Sequence, residues 1–186
     1  MRLICYNCYT LDEGYCMRRE LVSWNDIDTL IDHLVPQFQE TYDAMLIITR
    51  GGVVPGGLLA EALGINLILT AAVDFPDMIQ SNQLKEFPRL IAWPKFVQFP
   101  DNSLLIGKNV LIVDDVWGSG RTITAVKNRV SGAGGRPFTC VLHLNPYRSL
   151  FGSVRPDYFA AITDAYIIYP WEIDRGPEGT PLLDQK

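Results

Sequence analysis

Four consecutive branched apolar residues, Val110-Leu111-Ile112-Val113, run straight into Asp114-Asp115 and then into Gly118-Ser119-Gly120-Arg121-Thr122, and this stretch limits the possible folds more than any other. A run so apolar reads as a strand buried on both faces, the kind found in parallel sheets covered by helices. Ile123, Val126, Val130 and Ala133 follow at helical spacing, so the unit is strand, loop, helix. Paired carboxylates at a strand end are costly to bury without partners, and parallel sheets bind ligands beyond the carboxyl ends of their strands. Gly118 and Gly120 let backbone approach an anion closely. The helix start offers unpaired N–H groups and a positive dipole end suited to a phosphate, and Ser119 and Thr122 add hydroxyl donors. Asp114 and Asp115 then face whatever hangs from that phosphate, and carboxylates accept from sugar hydroxyls. A buried strand with a polar turn and an N-cap is the plainer alternative, and the acid pair speaks against it. The stretch has no Gly-Lys-Ser/Thr, so it is not a Walker loop, and no third glycine at the dinucleotide spacing.

At 186 residues, one domain with a full core is the expectation. A formal net charge of -5 argues against a general nucleic-acid grip, which needs a basic face. No apolar run approaches the length of a membrane span, and Arg2 ahead of a mixed polar stretch does not make a secretory leader. Cys5 and Cys8 have metal-like spacing, but no second pair or nearby His completes a tetrahedral site. Cys5, Cys8, Cys16 and Cys140 therefore read as reduced thiols of a cytoplasmic protein.

Residues 1–22 form an N-terminal extension that adds an edge strand or covers the sheet. Ser23-Trp24-Asn25-Asp26 has the capping-box pattern with Asp in place of Glu. Trp24, Ile27, Leu30, Ile31, Leu34, Val35 and Phe38 mark one face of an amphipathic helix, with His33 near its polar side. Ala44 to Thr49 is a second buried strand, followed by Arg50-Gly51-Gly52, whose N–H groups can turn inward as an anion nest. Pro55 suits a helix start and Gly64 a helix stop. Ile65 to Val73 reads as another buried strand. Prolines 76, 88, 94 and 100 then break regular structure. Pro137 to Leu144 is the next strand, ended by Asn145-Pro146-Tyr147-Arg148. Asp157 to Ala160 and Ala165 to Tyr169 read as short strands of a small hood, and residues 175–186 as a loose polar tail. The expected fold class is α/β: a central, mostly parallel sheet flanked by helices over residues 23–174, with a C-terminal hood near 145–174.

The acid-pair stretch resembles the 5-phosphoribosyl 1-diphosphate (PRPP) signature of type I phosphoribosyltransferases: an apolar strand, two acids, a short loop, Thr/Ser-Gly, any residue, then Thr. Leu46 to Ala60, with Arg50-Gly51-Gly52 at its centre, is similar to the pyrophosphate loop of the xanthine-guanine branch. Pro170-Trp171-Glu172, closing the stretch from Thr163, resembles that branch's base-binding segment. The three motifs occur in the family's order over roughly residues 44 to 172.

The resemblance implies transfer of 5-phosphoribosyl from PRPP to a nitrogenous base, a purine, with release of pyrophosphate. It implies Asp114 and Asp115 as the catalytic acids, holding ribose hydroxyls and, directly or through water, Mg²⁺. Gly118, Ser119, Gly120, Arg121 and Thr122 would hold the 5-phosphate, and Arg50, Gly51 and Gly52 the pyrophosphate. Asn145, Tyr166, Ile167, Trp171 and Glu172 would line the base, with Tyr166 stacking and Ile167 offering backbone groups; Trp171 reads equally well as a core residue. It also implies a cis peptide at Arg50-Gly51, a homo-oligomer (dimer or larger), and a closing loop within Asp74 to Pro100 carrying Lys85, Arg89 or Lys95 to the pyrophosphate. The expected partners are small molecules, with no nucleic acid and no membrane.

Two positions depart from the 6-oxopurine pattern. Gly118 stands where those enzymes carry an Asp that takes a proton from the purine, and Asn145 where they carry a Lys that donates to the 6-oxo group. Both fall on base chemistry, which leaves a 6-amino base open. They also leave open a second reading, a non-catalytic PRPP- or nucleotide-sensing regulator; the acidic charge and the lack of a DNA-binding segment weigh against it.

Overall fold

Ser23 starts the first helix as its local sequence dictates. Its hydroxyl accepts the Asp26 N–H at 3.3 Å while the Asp26 carboxylate accepts the Ser23 N–H at 2.9 Å, and those bonds hold Asp26 below the usual carboxylate range. The helix, α1 (Trp24–Leu34), buries Ile27 and Leu34. It tightens into a 3₁₀ turn at Val35–Gln37, because Pro36 has no N–H to continue the α pattern. The computed structural model describes residues 18–75, 93–175 and 181–182. Cys5, Cys8, Cys16, Lys85 and Arg89 lie outside them.

The remaining elements in chain order are β2 (Ala44–Ile48), α2 (Val53–Leu63), β3 (Ile68–Asp74), β4 (Lys95–Gln98), β5 (Asn109–Trp117), α3 (Arg121–Gly132), β6 (Arg136–Leu144), β7 (Tyr158–Ile162), β8 (Tyr166–Ile168), β9 (Asp174–Arg175) and β10 (Pro181–Leu182), with β1 (Arg19–Leu21) ahead of α1. Six strands form the main sheet in the order β4-β3-β2-β5-β6-β7. All of its neighbours pair in parallel except β3 with β4. The chain steps outward from β2 to β3, returns to β5 and then steps the other way to β6 and β7. The strand order therefore reverses between β2 and β5, the crevice where open α/β sheets bind ligands.

The two sheet faces bury separate cores. Leu111, Val113, Cys140 and Leu142 pack with α1 and α2, whereas Val110, Ile112, Val126 and Val130 pack on the α3 side. This places helices on both faces, as right-handed crossovers in opposite directions require. The alternation along β5 breaks at the acid pair, since Val116 packs with the first core and Trp117 with the second. Burial pushes the Cys140 thiol up, so it stays protonated.

Several elements differ from the sequence reading. β3 begins at Ile68 rather than Ile65 and is mostly half-exposed, because it lies next to the edge strand β4. α2 starts at Val53, two residues before Pro55, which still falls in the first turn where an N–H has no helical partner. Gly64 closes it with φ 64°, as a left-handed C-cap. β7 is the edge of the main sheet rather than part of a hood. The hood strand β8 instead pairs in parallel with β1, so Arg19–Leu21 joins the hood. At the start of the expected tail, β9 pairs antiparallel with β10 inside it.

Leu111, with no exposed surface at the centre of β5, tests the core. Leu111→Ala should lower unfolding free energy by about 2–5 kcal/mol in denaturant titration. Ile106→Ala, at a 63% exposed position, should change it by less than about 0.5 kcal/mol. Equal effects would contradict this account of the core.

Candidate active site at the switch point

β5 runs through the acid pair to Trp117, so the two carboxylates sit inside the strand rather than after it. Beyond Val113 its pairing with β2 has ended, and β6 continues alongside as far as Trp117. Asp115 is 8% exposed. Its carboxylate packs on Gly51, where a Cβ would lie 2.5 Å from the carboxyl carbon. Among the described residues no basic side chain pairs with either acid. Burial first, and then the charge of Asp115, hold the Asp114 carboxyl well above its ordinary range. Burial, followed by the charge of Glu172, pushes Asp115 up to about 6. The pair is thus a desolvated acidic centre with no positive partner among the described residues, suited to hydroxyl donors or an incoming cation. Among the described residues no group of three His, Cys, Asp or Glu side chains could cage a metal by itself.

A cleft of about 260 Å³ runs from Asp114 to Ile123 along the strand end, the loop and the first residues of α3. The loop is shaped from beneath by Trp117, 2% exposed, whose indole N–H donates to the Ser149 hydroxyl at 3.2 Å. Gly120 has φ 77° and a Cβ there would lie 2.5 Å from the Trp117 ring, so only glycine fits. Gly118 is different: a Cβ would meet nothing within 4 Å. The Ser119 carbonyl accepts the Leu150 N–H at 3.0 Å, tying the loop to the segment after β6. The Ser119 hydroxyl accepts the Arg121 N–H at 3.4 Å. Arg121 lies over the Phe75 ring, 4.1 Å from its centroid.

Arg50 is exposed, two residues beyond the carboxyl end of β2. The cis peptide is Thr49-Arg50, one residue before the expected Arg50-Gly51. The Gly52 N–H donates to the Ile48 carbonyl at 2.9 Å and is already used. Gly52 is glycine for packing, since a Cβ would sit 2.3 Å from the Val113 carbonyl oxygen. Lys95 lies on β4, paired opposite Asp74.

On the hood side, Tyr166 is 45% exposed and the Ile167 side chain is buried. The Tyr166 N–H and the Ile168 carbonyl both bond to the β1 segment, so the alternation of a parallel ladder turns the backbone groups of Ile167 to the opposite edge. Trp171 stacks on Tyr169 with centroids 4.6 Å apart and planes at 6°, and Trp24 lies 6.1 Å away. It is built into the aromatic packing of the first core. Asn145, 2% exposed, donates to the Ala165 carbonyl at 3.3 Å and accepts the Tyr147 N–H at 3.2 Å, so its amide ties the end of β6 to the hood. Glu172 accepts the Tyr169 N–H at 3.1 Å. His143 and Tyr169, joined in a buried hydrogen bond beneath the acid pair, and Trp117 carried no sequence signal beyond apolar strand context.

The family model described as phosphoribosyl transferase domain matches residues 21–148, and the chain belongs to that family. Its fold is similar to the purine phosphoribosyltransferase of Pyrococcus horikoshii Ot3, with a TM-score of 0.69 and 26% identity over 85% of this chain and 97% of that one. A hypothetical protein from Neisseria gonorrhoeae, solved with bound ppGpp, gives a TM-score of 0.70 and 25% identity, covering 86% of this chain and 92% of that one. The xanthine-guanine-hypoxanthine phosphoribosyltransferase of Helicobacter pylori shares the fold with a TM-score of 0.64, at 15% identity over 83% of this chain and 94% of that one. The type I phosphoribosyltransferase fold expected from the motifs, a mostly parallel sheet flanked by helices, is the fold observed. No helix among the described residues is long and apolar enough to cross a membrane.

The two loop glycines should separate cleanly. Gly118→Ala should fold with a melting temperature close to wild type, because its Cβ enters open space. Gly120→Ala should lose about 1–3 kcal/mol through its positive φ and the indole beneath it. A larger loss at Gly118 would refute the geometry.

The raised Asp115 gives a pH signature. It titrates near 6 in the folded chain, against about 4 when unfolded. The folded state therefore holds the proton more tightly, and stability falls as pH rises across that window. Asp115→Asn should match wild type near ~pH 4 and be more stable at ~pH 7, by up to about 3 kcal/mol. Thermal melts showing the wild type gaining on the variant over that range would reverse the assignment.

Proposed function

We propose that the chain transfers the 5-phosphoribosyl group of PRPP to a ring nitrogen of a purine-type base and releases pyrophosphate. The observation that carries this reading is the desolvated Asp114–Asp115 pair, without a positive neighbour among the described residues, at the β2–β5 switch point beside a glycine loop and a helix N-terminus. The loop from Gly118 to Thr122 receives the 5-phosphate on backbone N–H groups and hydroxyls. The acid pair accepts the ribose hydroxyls and places negative charge beside the cationic C1 that develops as the C–O bond to pyrophosphate breaks and the C–N bond forms. Arg50 and the Gly51 backbone face the pyrophosphate, which leaves with the bonding electron pair.

The acid pair fits Mg²⁺, because among the described residues the two buried carboxylates have no counter-charge. Among the described residues too few protein ligands stand together to hold the ion alone, so it would be shared with substrate oxygens and water. When bound, the metal neutralises the pyrophosphate. Tyr166 offers a ring face for stacking, Ile167 its backbone groups, and Glu172 a carboxylate that accepts from a base N–H.

A second reading has one observation in its favour. A relative of comparable similarity was solved with ppGpp bound, and Gly118 supplies no proton acceptor. A nucleotide-sensing protein would use the same anion site without turnover.

Pyrophosphate release with PRPP, Mg²⁺ and each of adenine, hypoxanthine, guanine, xanthine, uracil and orotate decides between them. Turnover with a purine is expected, and Asp115→Asn should reduce kcat by about 100-fold or more. Full activity in that variant would remove Asp115 from the mechanism. Saturable binding of PRPP or ppGpp without turnover on any base would favour the sensor.

A further inference from the structure

Tyr169 joins the hood to the acid pair through buried hydrogen bonds. Its hydroxyl donates to the Asp115 backbone carbonyl at 3.0 Å and lies 2.8 Å from His143 Nδ1. A phenol carries one proton. With that proton on the carbonyl, the Tyr169 oxygen accepts at its other contact, which places the His143 proton on Nδ1. Tyr169 is 1% exposed and His143 5%, so water does not compete for either bond. Burial pushes His143 down to about 4, leaving a neutral ring with one N–H to give.

The same tyrosine reaches the base side. Its ring stacks on Trp171 and its N–H donates to the Glu172 carboxylate. Asp115 is thereby gripped at two points, its carbonyl by the Tyr169 hydroxyl and its carboxylate against Gly51. Phenylalanine would stack on Trp171 equally well, so the hydroxyl and the histidine behind it serve the acid pair rather than the hood packing.

We propose that Tyr169 and His143 are positioning residues: a His143→Tyr169→Asp115 hydrogen-bond chain sets the orientation of Asp115 and links it mechanically to the segment that carries Glu172. This rests on the transferase reading given above. It assigns the two side chains no contact with substrate, and it predicts loss of rate rather than of binding.

Steady-state kinetics on the full chain test it. Tyr169→Phe should lower kcat about tenfold or more while KM for PRPP and for the base stays within about twofold. His143→Leu, which leaves the phenol oxygen without its donor, should behave the same way. His143→Asn should recover most of the rate, since its amide nitrogen stands near the position of Nδ1 and can donate to the phenol. A loss confined to KM for the base, an unaffected Tyr169→Phe, or an Asn variant no better than Leu would overturn the proposal. Nitrogen NMR of the wild-type imidazoles gives a readout apart from activity: His143 should carry its proton on Nδ1, and a proton on Nε2 alone would refute the chain. Wild-type turnover is measured first. Its absence defeats the transferase reading together with this one, whereas normal turnover in Tyr169→Phe defeats the positioning role alone.

Discussion

Two adjacent carboxylates on the buried central strand are the constraint to which the rest of the site answers. Placing them there costs desolvation, visible as the upward shift of both acids. A sheet that carried them in its middle would be penalised without return. At the carboxyl end of β5, where β2 no longer pairs, the strand opens into a crevice instead. Gly51 is bare of a side chain where the Asp115 carboxylate must pass, and Gly52 is bare where the Val113 carbonyl approaches. The glycines after β2 therefore do two jobs, close packing against β5 and, on the proposed reading, access for the pyrophosphate.

The scaffold that holds this crevice is divided between two cores, one under α1 and α2 and one under α3. β5 belongs to both. Its alternation delivers Leu111 and Val113 to one face and Val110 and Ile112 to the other, then breaks at the acids. Fixing a strand on both faces leaves its last residues little freedom. That rigidity suits catalysis that works by positioning and fixed charge rather than by covalent participation of the protein.

How much was legible in the sequence follows from how local each feature is. The capping box of α1, the Gly64 cap, the apolar runs of β2, β5 and β6 and the glycine loop after β5 are written in neighbouring residues, and the fold shows each of them, with α3 already begun at Arg121. What the sequence hid depends on distant partners. β7 looked like a hood strand because a short strand carries no mark of which sheet it joins, and only its register with Cys140 and Val141 settles the matter. The sequence reading leaves residues 1–22 as an edge strand or a cover, and which strand β1 joins could not be read, since its partner Tyr166 to Ile168 lies far along the chain. The cis peptide was displaced by one residue, to Thr49-Arg50. The Tyr169 bond to Asp115 spans 54 positions, and no spacing rule connects those residues.

The two departures from the 6-oxopurine pattern differ physically, and the difference bears on base recognition. Gly118 is not imposed by the fold, because a side chain would enter open space. A Cβ there does not touch Gly120, so packing does not demand glycine at this position. Asn145 is the opposite case. It is buried, and its amide is engaged with Ala165 and Tyr147; a lysine there would have to displace both bonds and bring a charge into the interior. On the proposed reading, neither position offers the base a charged group. Among the described residues, recognition then falls to the Tyr166 ring, the Ile167 backbone and the Glu172 carboxylate, a set that accepts from N–H groups and presents no cation to an oxo group. That chemistry favours a base rich in N–H donors over an anionic one.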